Sequence, residues 1–478
     1  MTPSTVSEPR ITASDYLLYR RCPRSLHLRL TGAASDAHPA DAGYPVRSER
    51  AAVRELARAR YPDVLAGGAS QTVVDATCTH GPFMATADLC RANKPSGSAV
   101  VLVREGTSVK ESYLREAAFV DHCFSACGAK PQRIYVEHVN KAYSRRGAVD
   151  PQALFVQADV TRRVQRIARE TAAELDRLRE EIAADRALSR YESHLCERPR
   201  TCPSCAELLP PREAGHVSTL HRGGPLVDQL LDDGITRIVD IPKERLAHRR
   251  QEIQQESLRA EVPYVDDGAL AGFLGRLVHP VCYLDFEAIC TAIPPFDHVR
   301  PWEHVPFLYS VHRELPDATL IHAHYLMEPG VDSRAQMTRR LCTDLDGCGS
   351  IVVYSAGFER GVMSRLMEAF PAAASGIQGA LDRIVDLLEP FHEFAVYHHR
   401  QRGKVGLKHV LPALTDISYS GQTIRDGYTA NRVYRYLSLG GASGDARSRL
   451  LGDLVSYCAL DTMAMVRIVR ELRAMAKG

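Results

Sequence analysis

The sequence predicts an α/β protein built from more than one domain. Its 478 residues are too many for one ordinary hydrophobic core. Strand-like and helix-like segments alternate in two separate blocks, one before the cysteine cluster at 196–205 and one after residue 280. Between them lies a stretch of different character that opens on the linker-like "LPPREAG". These boundaries divide the chain into a mixed module over 1–210, a helical connector over 211–275 and a second mixed module over 276–478.

The first module opens with "ITASDYLLYRRCPRSLHLRL" (11–30), a helix capped by Ser14 or Asp15 and interrupted near Pro23. Residues 47–60 read as a helix. "QTVVDATC", "FMATADLC" and "SAVVLV" are β-rich runs separated by Gly, Pro and Asn, so they read as three strands. A helix over 111–127 and the strand "QRIYVEHVN" follow. From Val160 to about Ala187, apolar residues recur at helical spacing among many charges, giving a long helix solvated on one side. In the connector, "PLVDQLLDDGITRIVDIPKERL" suggests two short helices around a Gly turn. Such units sometimes grip a nucleic-acid backbone and more often merely connect.

The second module begins with "VCYLDFEAI", "PFLYSVHREL" and "TLIHAHYLM", three successive strands of a meander. A helix around 332–346 leads to "SIVVYSAGFERGVMSRLME", a buried strand running into a helix. "ALDRIVDLLEPF", "GLKHVLPAL" and "LLGDLVSYCALDTMAMVRIVREL" complete the module as helices. No internal repeat or low-complexity tract is evident.

Composition narrows the class. Apolar residues make up 45% and charged residues 25%, as in globular chains. The net charge of +2 neither demands nor excludes a nucleic-acid partner, because a basic groove can sit within a neutral total. The N-terminus has no apolar leader and no run approaches a membrane span, so a cytoplasmic protein without membrane contact is expected. The thirteen cysteines are odd in number, which argues against a disulfide framework. Cys78, Cys90, Cys123, Cys127, Cys282, Cys290, Cys342, Cys348 and Cys458 are scattered singly and read as buried small hydrophobes.

The chemistry is carried by acids at element ends. Asp285 and Glu287 alternate along the first strand of the second module, so they share a face. Glu359 follows the strand "IVVYSAGF", and Asp386 lies in "RIVDLL". Asp461 follows Tyr457 by four residues, which puts both on one helix face. Converging carboxylates need a cation, and hard oxygen ligands with open positions suit Mg²⁺ or Mn²⁺. Two such ions about 3.5–4 Å apart can clamp the attacking and leaving oxygens of a phosphodiester. The Tyr457 hydroxyl could orient the attacking water.

These residues resemble the three motifs of the DEDD exonucleases, the DnaQ-like branch of the RNase H-like fold. "LDFEA" is similar to the Asp-x-Glu of the first motif. "VVYSAGFERGVM" is similar to the second, with Ser355 where Asn is usual and Glu359 where Asp is usual. "YCALD" fits the third in its tyrosine form. The resemblance covers roughly 280–475 and implies a two-metal 3′→5′ exonuclease. Asp285, Glu287, Glu359 and Asp461 would be metal ligands and Tyr457 would be catalytic. Asp386 would be a supporting acid or a replacement ligand.

Cys196, Cys202 and Cys205 are spaced C-x5-C-x2-C. A closed site needs a fourth ligand, either Cys22, which points to a [4Fe–4S] cluster, or His194, which favours Zn²⁺. Residues 11–208 resemble RecB-family nucleases that carry an iron–sulfur cluster, including those of CRISPR adaptation. The PD-(D/E)XK core of that family is matched at Asp88 only. Leu102 and Arg104 stand where its Glu and Lys are expected, Arg54 or Val53 where a His is usual, and Val120 where a Gln is usual. The resemblance therefore implies a catalytically degenerate module. Such a module would help position single-stranded DNA or RNA ends through Arg20, Arg21 and Arg24, unless these form only a solvated helix face. Two rival readings remain open: a non-catalytic nucleic-acid-binding or complex-forming subunit, and a nuclease acting through the first module.

Overall fold

The protein is described from a computed structural model, over residues 10–32, 43–61, 72–93, 97–184, 213 and 215–477. It is a multi-domain α/β protein with two mixed sheets. One unit comprises Met1–Ala37, Arg47–Leu208 and Cys290–Glu303. The other comprises His38–Val46, Leu209–Ile289 and His304–Gly478. The stretch expected as a separate connector belongs to this second unit. No helix of the described residues is long and apolar enough to cross a membrane.

The first unit opens with α1 (Ala13–Arg21) and α2 (Pro23–Leu30), broken at Pro23 because proline ends one helix and suits the first turn of the next. The α1 cap is Thr12, not Ser14 or Asp15. The Thr12 side chain accepts from the Asp15 backbone N–H at 3.3 Å, and Asp15 returns the bond to the Thr12 N–H at 2.8 Å, closing a capping box. After α3 (Glu49–Arg58), five strands lie side by side in chain order: β1 (Thr72–His80), β2 (Phe83–Asn93), β3 (Gly97–Arg104), β4 (Arg133–Val139) and β5 (Phe155–Asp159). Only β3 and β4 run parallel, and the crossover they require is α4 (Glu111–Ala126). The short α5 (Pro151–Leu154) leads into β5, and α6 (Thr161–Ala184) follows. Val100, Leu102, Phe119, Val136, Val164 and Leu178 form part of the core of this unit.

In the second unit, α7 (Gly224–Asp232), α8 (Arg249–Ala260), β6 (Tyr264–Val265) and α9 (Asp267–Leu274) precede the sheet. The strands are β7 (Val281–Cys290), β8 (His304–Glu314), β9 (Leu320–Leu326), β10 (Ser350–Val353) and β11 (Ile384–Asp386), in the order β11-β10-β7-β8-β9. β7, β10 and β11 run parallel, and β8 and β9 antiparallel. The intervening helices are α10 (Arg334–Asp344), α11 (Gly357–Ala369) and α12 (Ala374–Leu381). After β11 come α13 (Glu389–His392), β12 (Val396–Tyr397), α14 (Leu407–Leu414), α15 (Gly427–Ser438) and α16 (Gly444–Met475). β12 pairs antiparallel with β6.

Two further expectations are corrected. "ALDRIVDLLEPF" is not one helix. α12 stops at Leu381, and the β-branched Ile384 and Val385 pair with Ile351 and Val352 of β10. The scattered cysteines are not all single thiols either. Cys78 and Cys127, and Cys282 and Cys348, stand at disulfide distance. Their partners lie 49 and 66 residues apart in sequence, so spacing carried no sign of the pairing.

Candidate metal centre

The site is built from β7 outward. Leu284 and Phe286 are buried, and the alternation of the strand puts Asp285 and Glu287 on a common face. α16 lies against β8 and brings a third acid. It is pinned to that strand at two places. The Thr462 hydroxyl lies 2.8 Å from both Ser310 Oγ and His312 Nδ1. Farther along, Arg470 and Arg473 donate to the buried Glu314 at 2.9 and 2.8 Å. Asp461, next to the first pin, is thereby aimed at β7. One oxygen from each of Asp285, Glu287 and Asp461 lies within 4.8 Å of the others.

Three carboxylates in a largely buried place repel one another, and among the described residues none has a short ion pair to balance it. Burial raises the Asp285 carboxyl well above the usual range, with the charges of Asp461, Glu287 and Glu359 adding to it. Glu287 is pushed up to about 8 by burial and then by Asp461. Asp461 is raised less, to about 6, because Tyr419 and Tyr457 hydrogen-bond it and Lys408 attracts its charge. Cys458 Sγ, one residue from Tyr457, lies 3.4 Å from Asp285 Oδ2, and burial together with the nearby acids holds its thiol protonated.

Glu359 sits in the first turn of α11 and is 3% exposed. Its Oε2 is buried without a hydrogen-bond partner, and burial pushes its carboxyl up to about 8. It is not one of the three clustered acids, although its charge is felt at Asp285. Asp386 has a different task. It ends β11 opposite Val353 and accepts the backbone N–H groups of Ser355, Ala356 and Leu388 at 2.8, 2.8 and 2.9 Å. Those bonds hold the turn before α11, where Ser355 takes a left-handed φ of 69°. Asp386 therefore positions Glu359 and is not brought into the cluster.

Three residues at the site carried no sequence signal of their own. Lys408 on α14 donates to the Tyr457 oxygen at 3.0 Å and to the Arg425 carbonyl. Its ammonium lies 5.1 Å from the centroids of both the Tyr419 and Tyr457 rings. The Tyr419 hydroxyl donates to Asp461 Oδ1. Cys458 completes the wall. "GLKHVLPAL" and "YCALD" contain Lys408 and Cys458, but only the fold shows what they touch. Tyr419 comes from a loop, where periodicity says nothing.

In the first unit, Asp88 faces no partner acid across an open site. Its Oδ2 accepts from Arg104 Nη1 at 2.6 Å and from the Val103 N–H at 2.7 Å, and Arg54 also pairs with it. Arg104 is 1% exposed and donates its Nε to Glu116 at 2.8 Å. Arg50 closes the group on Glu116 at 2.7 Å. Val53 and Val120 are buried core residues. Cys22 is a free thiol at the joint of α1 and α2. Cys196, Cys202, Cys205 and His194 lie outside the described residues. Of the arginines, Arg20 is tied to Glu174 at 3.0 Å and to Glu170 at 3.7 Å, Arg21 is exposed and Arg24 is half-buried. Arg20 thus already has acidic partners within its own unit.

No curated protein matches the chain. Among solved structures, one described as "Crystal structure of SSO0001" is similar at 15% identity and a TM-score of 0.23, over 41% of this chain and 87% of that chain. A family model described as "Domain of unknown function (DUF2779)" matches residues 282–406. That stretch holds Asp285, Glu287, Glu359 and Asp386 and ends two residues before Lys408.

Proposed function

We propose that the second unit is a metal-dependent nuclease, a 3′→5′ exonuclease of the DEDD type on an RNase H-like fold, hydrolysing phosphodiesters of DNA or RNA. The observation that carries this reading is the cluster of Asp285, Glu287 and Asp461 within 4.8 Å, with no ion pair to it among the described residues. The buried, unpartnered Oε2 of Glu359 is a second orphan of the kind a metal satisfies. An all-oxygen donor set fits Mg²⁺ or Mn²⁺ better than a softer ion.

Asp285, Glu287 and Asp461 would hold the divalent ions, with Glu359 as the fourth acid. When bound, the ions supply the charge that activates water and neutralises the phosphate oxygens. The chain's own residues do the rest. Burial and the neighbouring acids raise the Tyr457 phenol far out of the physiological range, so it keeps its proton and orients a water instead of acting as a base. Lys408 fixes the Tyr457 oxygen and offers its charge to the phosphate as negative charge grows there. Cys458, held neutral, adds no further negative charge.

For the first unit we propose a non-catalytic relative of the PD-(D/E)XK nucleases. The buried Arg104 guanidinium fills the position between Asp88 and Glu116 that a metal would need. Cys22, Cys196, Cys202 and Cys205 would hold a [4Fe–4S] cluster, supported by the free Cys22 thiol at a helix joint. Iron and sulfide analysis after anaerobic purification tests that, and stoichiometric zinc in their place rejects it.

The deciding experiment incubates 3′- and 5′-labelled single strands of DNA and of RNA with the protein and Mg²⁺ or Mn²⁺. Stepwise loss from the 3′ end, abolished by Asp285→Ala, is expected. Absence of cleavage with either metal, or cleavage that survives Asp285→Ala, sinks the reading. Cleavage lost only with Asp88→Ala, per folded molecule, would assign the activity to the first unit instead.

A further inference from the structure

α6 begins "TRRVQRIAR", with four arginines in its first nine residues. Arg162, Arg163, Arg166 and Arg169 are all exposed. Among the described residues, none of the four joins an ion pair. At 100° per residue, Arg162, Arg166 and Arg169 fall on one stripe and Arg163 flanks it. The opposite face buries Val164, Leu175 and Leu178 in the core, so the stripe cannot turn inward.

This arrangement works against the helix that carries it. The first turn of a helix favours acids, because its free N–H groups are positive, and it has none here. Arginines at i, i+3 and i, i+4 also repel one another. The next turns of the same helix are handled differently. Glu170 pairs with Arg115 at 2.9 Å, and Glu174 pairs with Arg20 at 3.0 Å. The acids nearest the row, Asp159 just before the helix and Glu170 four residues after Arg166, are paired with Arg133, Arg115 and Arg20 and not with the row.

We infer that the arginine row of α6 docks the phosphate backbone of a nucleic-acid strand. The row covers roughly 10 Å of helix, enough to meet several successive charges and not one isolated anion. Guanidinium forks match phosphate oxygens pairwise. A protein interface normally has an apolar anchor at its centre, and α6 exposes no large apolar residue. A membrane-surface helix needs its apolar face free, and that of α6 is buried. The surface belongs to the first unit and does not depend on the nuclease reading of the second.

The test is fluorescence anisotropy of the full chain with labelled oligothymidine, oligouridine and a duplex, in EDTA so that no metal-dependent cleavage intervenes, across a salt series. Replacing Arg162, Arg163, Arg166 and Arg169 together by Gln should weaken strand binding at least about ten-fold. It should also flatten the slope of log K against log salt by about 3, at roughly 0.7 per lost single-strand contact. Thermal unfolding should stay level or improve, because repulsion is relieved. Arg133→Gln with Arg177→Gln is the control and should change little. If the fourfold variant fails to fold, the pairs Arg162/Arg166 and Arg163/Arg169 should each remove about half of the slope. An unchanged slope in folded variants overturns the inference. So does a wild-type chain that binds no strand, or polyglutamate competing as well as oligothymidine, which assigns an acidic protein partner. Intact binding in a chain that never cleaves would sink the nuclease reading and leave this one standing.

Discussion

Lys408 donates to the Tyr457 hydroxyl oxygen across 3.0 Å, from a helix that carries none of the clustered acids. This cation faces the acid cluster without forming an ion pair there among the described residues, and its charge lowers the carboxyls of both Glu287 and Asp461. Removing it leaves the Tyr457 oxygen without that donor and lets both acids rise. Lys408→Met should lower kcat about 10²-fold with a smaller change in KM, the scale for losing one preorganised donor. The acidic limb of the pH–rate profile should move to higher pH. Lys408→Arg should recover part of both. A Met variant with the wild-type pH profile would reduce Lys408 to a surface residue.

Stability without metal should fall as pH rises. Glu287 and Glu359 reach about 8 in the folded chain, and Asp461 about 6, all above the usual carboxyl range near 4. Between the unfolded and folded values the native state holds the extra protons, so raising the pH costs native stability. For Asp461 the loss runs from about pH 4 to 6, and for the two glutamates from about pH 4 to 8. In EDTA, the Tm of the second unit should decline across that window. Mn²⁺ should raise it more at pH 8 than at pH 5, because the ion must displace protons at the lower pH. A metal-induced shift that is equal at both values would argue against these acids as the ligands.

Asp285→Asn should separate stability from function. The substitution keeps the shape and removes one of the three crowded acids, the one whose ionisation burial and its neighbours oppose. In EDTA at pH 8 it should stabilise the second unit by about 1–2 kcal/mol, within the usual range for one substitution. Metal-dependent cleavage should vanish. At pH 5 the neighbours are protonated and the gain should shrink. A destabilised Asn variant at pH 8 would mean that the carboxylate is satisfied by something other than a bound ion.

The α/β succession was legible because strands and helices carry different apolar periods. So was the shared face of Asp285 and Glu287, which follows from alternation alone, and that of Tyr457 and Asp461, which follows from helical spacing. What spacing cannot convey is which elements meet. Nothing local ties Tyr419 to Asp461, or Cys282 to Cys348. α8 escaped notice for another reason. Its buried residues are mostly polar: beside Ile253 and Ser257 stand Gln251, Gln254 and Gln255, whose amides bond backbone carbonyls of Thr219, His221, Ile238 and Ile241. A polar face buried by hydrogen bonds leaves no apolar stripe to read. β11 was hidden because three residues are too few for a period.

The first unit should respond to the loss of an acid in the opposite sense to the second. Asp88 and Arg104 are 6% and 1% exposed and paired at 2.6 Å. Asp88→Ala leaves the Arg104 guanidinium buried with Glu116 as its remaining charged partner. Breaking a buried pair from one side costs about 3–5 kcal/mol, so calorimetry should show the first unit unfolding markedly earlier. Arg104→Leu in the same chain should return much of that loss, because no unpaired charge stays behind. Neither change should alter metal-dependent cleavage per folded molecule if the second unit carries the activity. Both units thus hold acids that sequence alone would class together. In the first an arginine of the chain supplies the counter-charge, and removing the acid destabilises. In the second no described residue forms an ion pair with the clustered acids, Lys408 acting on them only from a distance, and removing an acid should stabilise. A double-mutant cycle on Asp88 and Arg104 that gives no coupling energy would overturn the first half of that contrast.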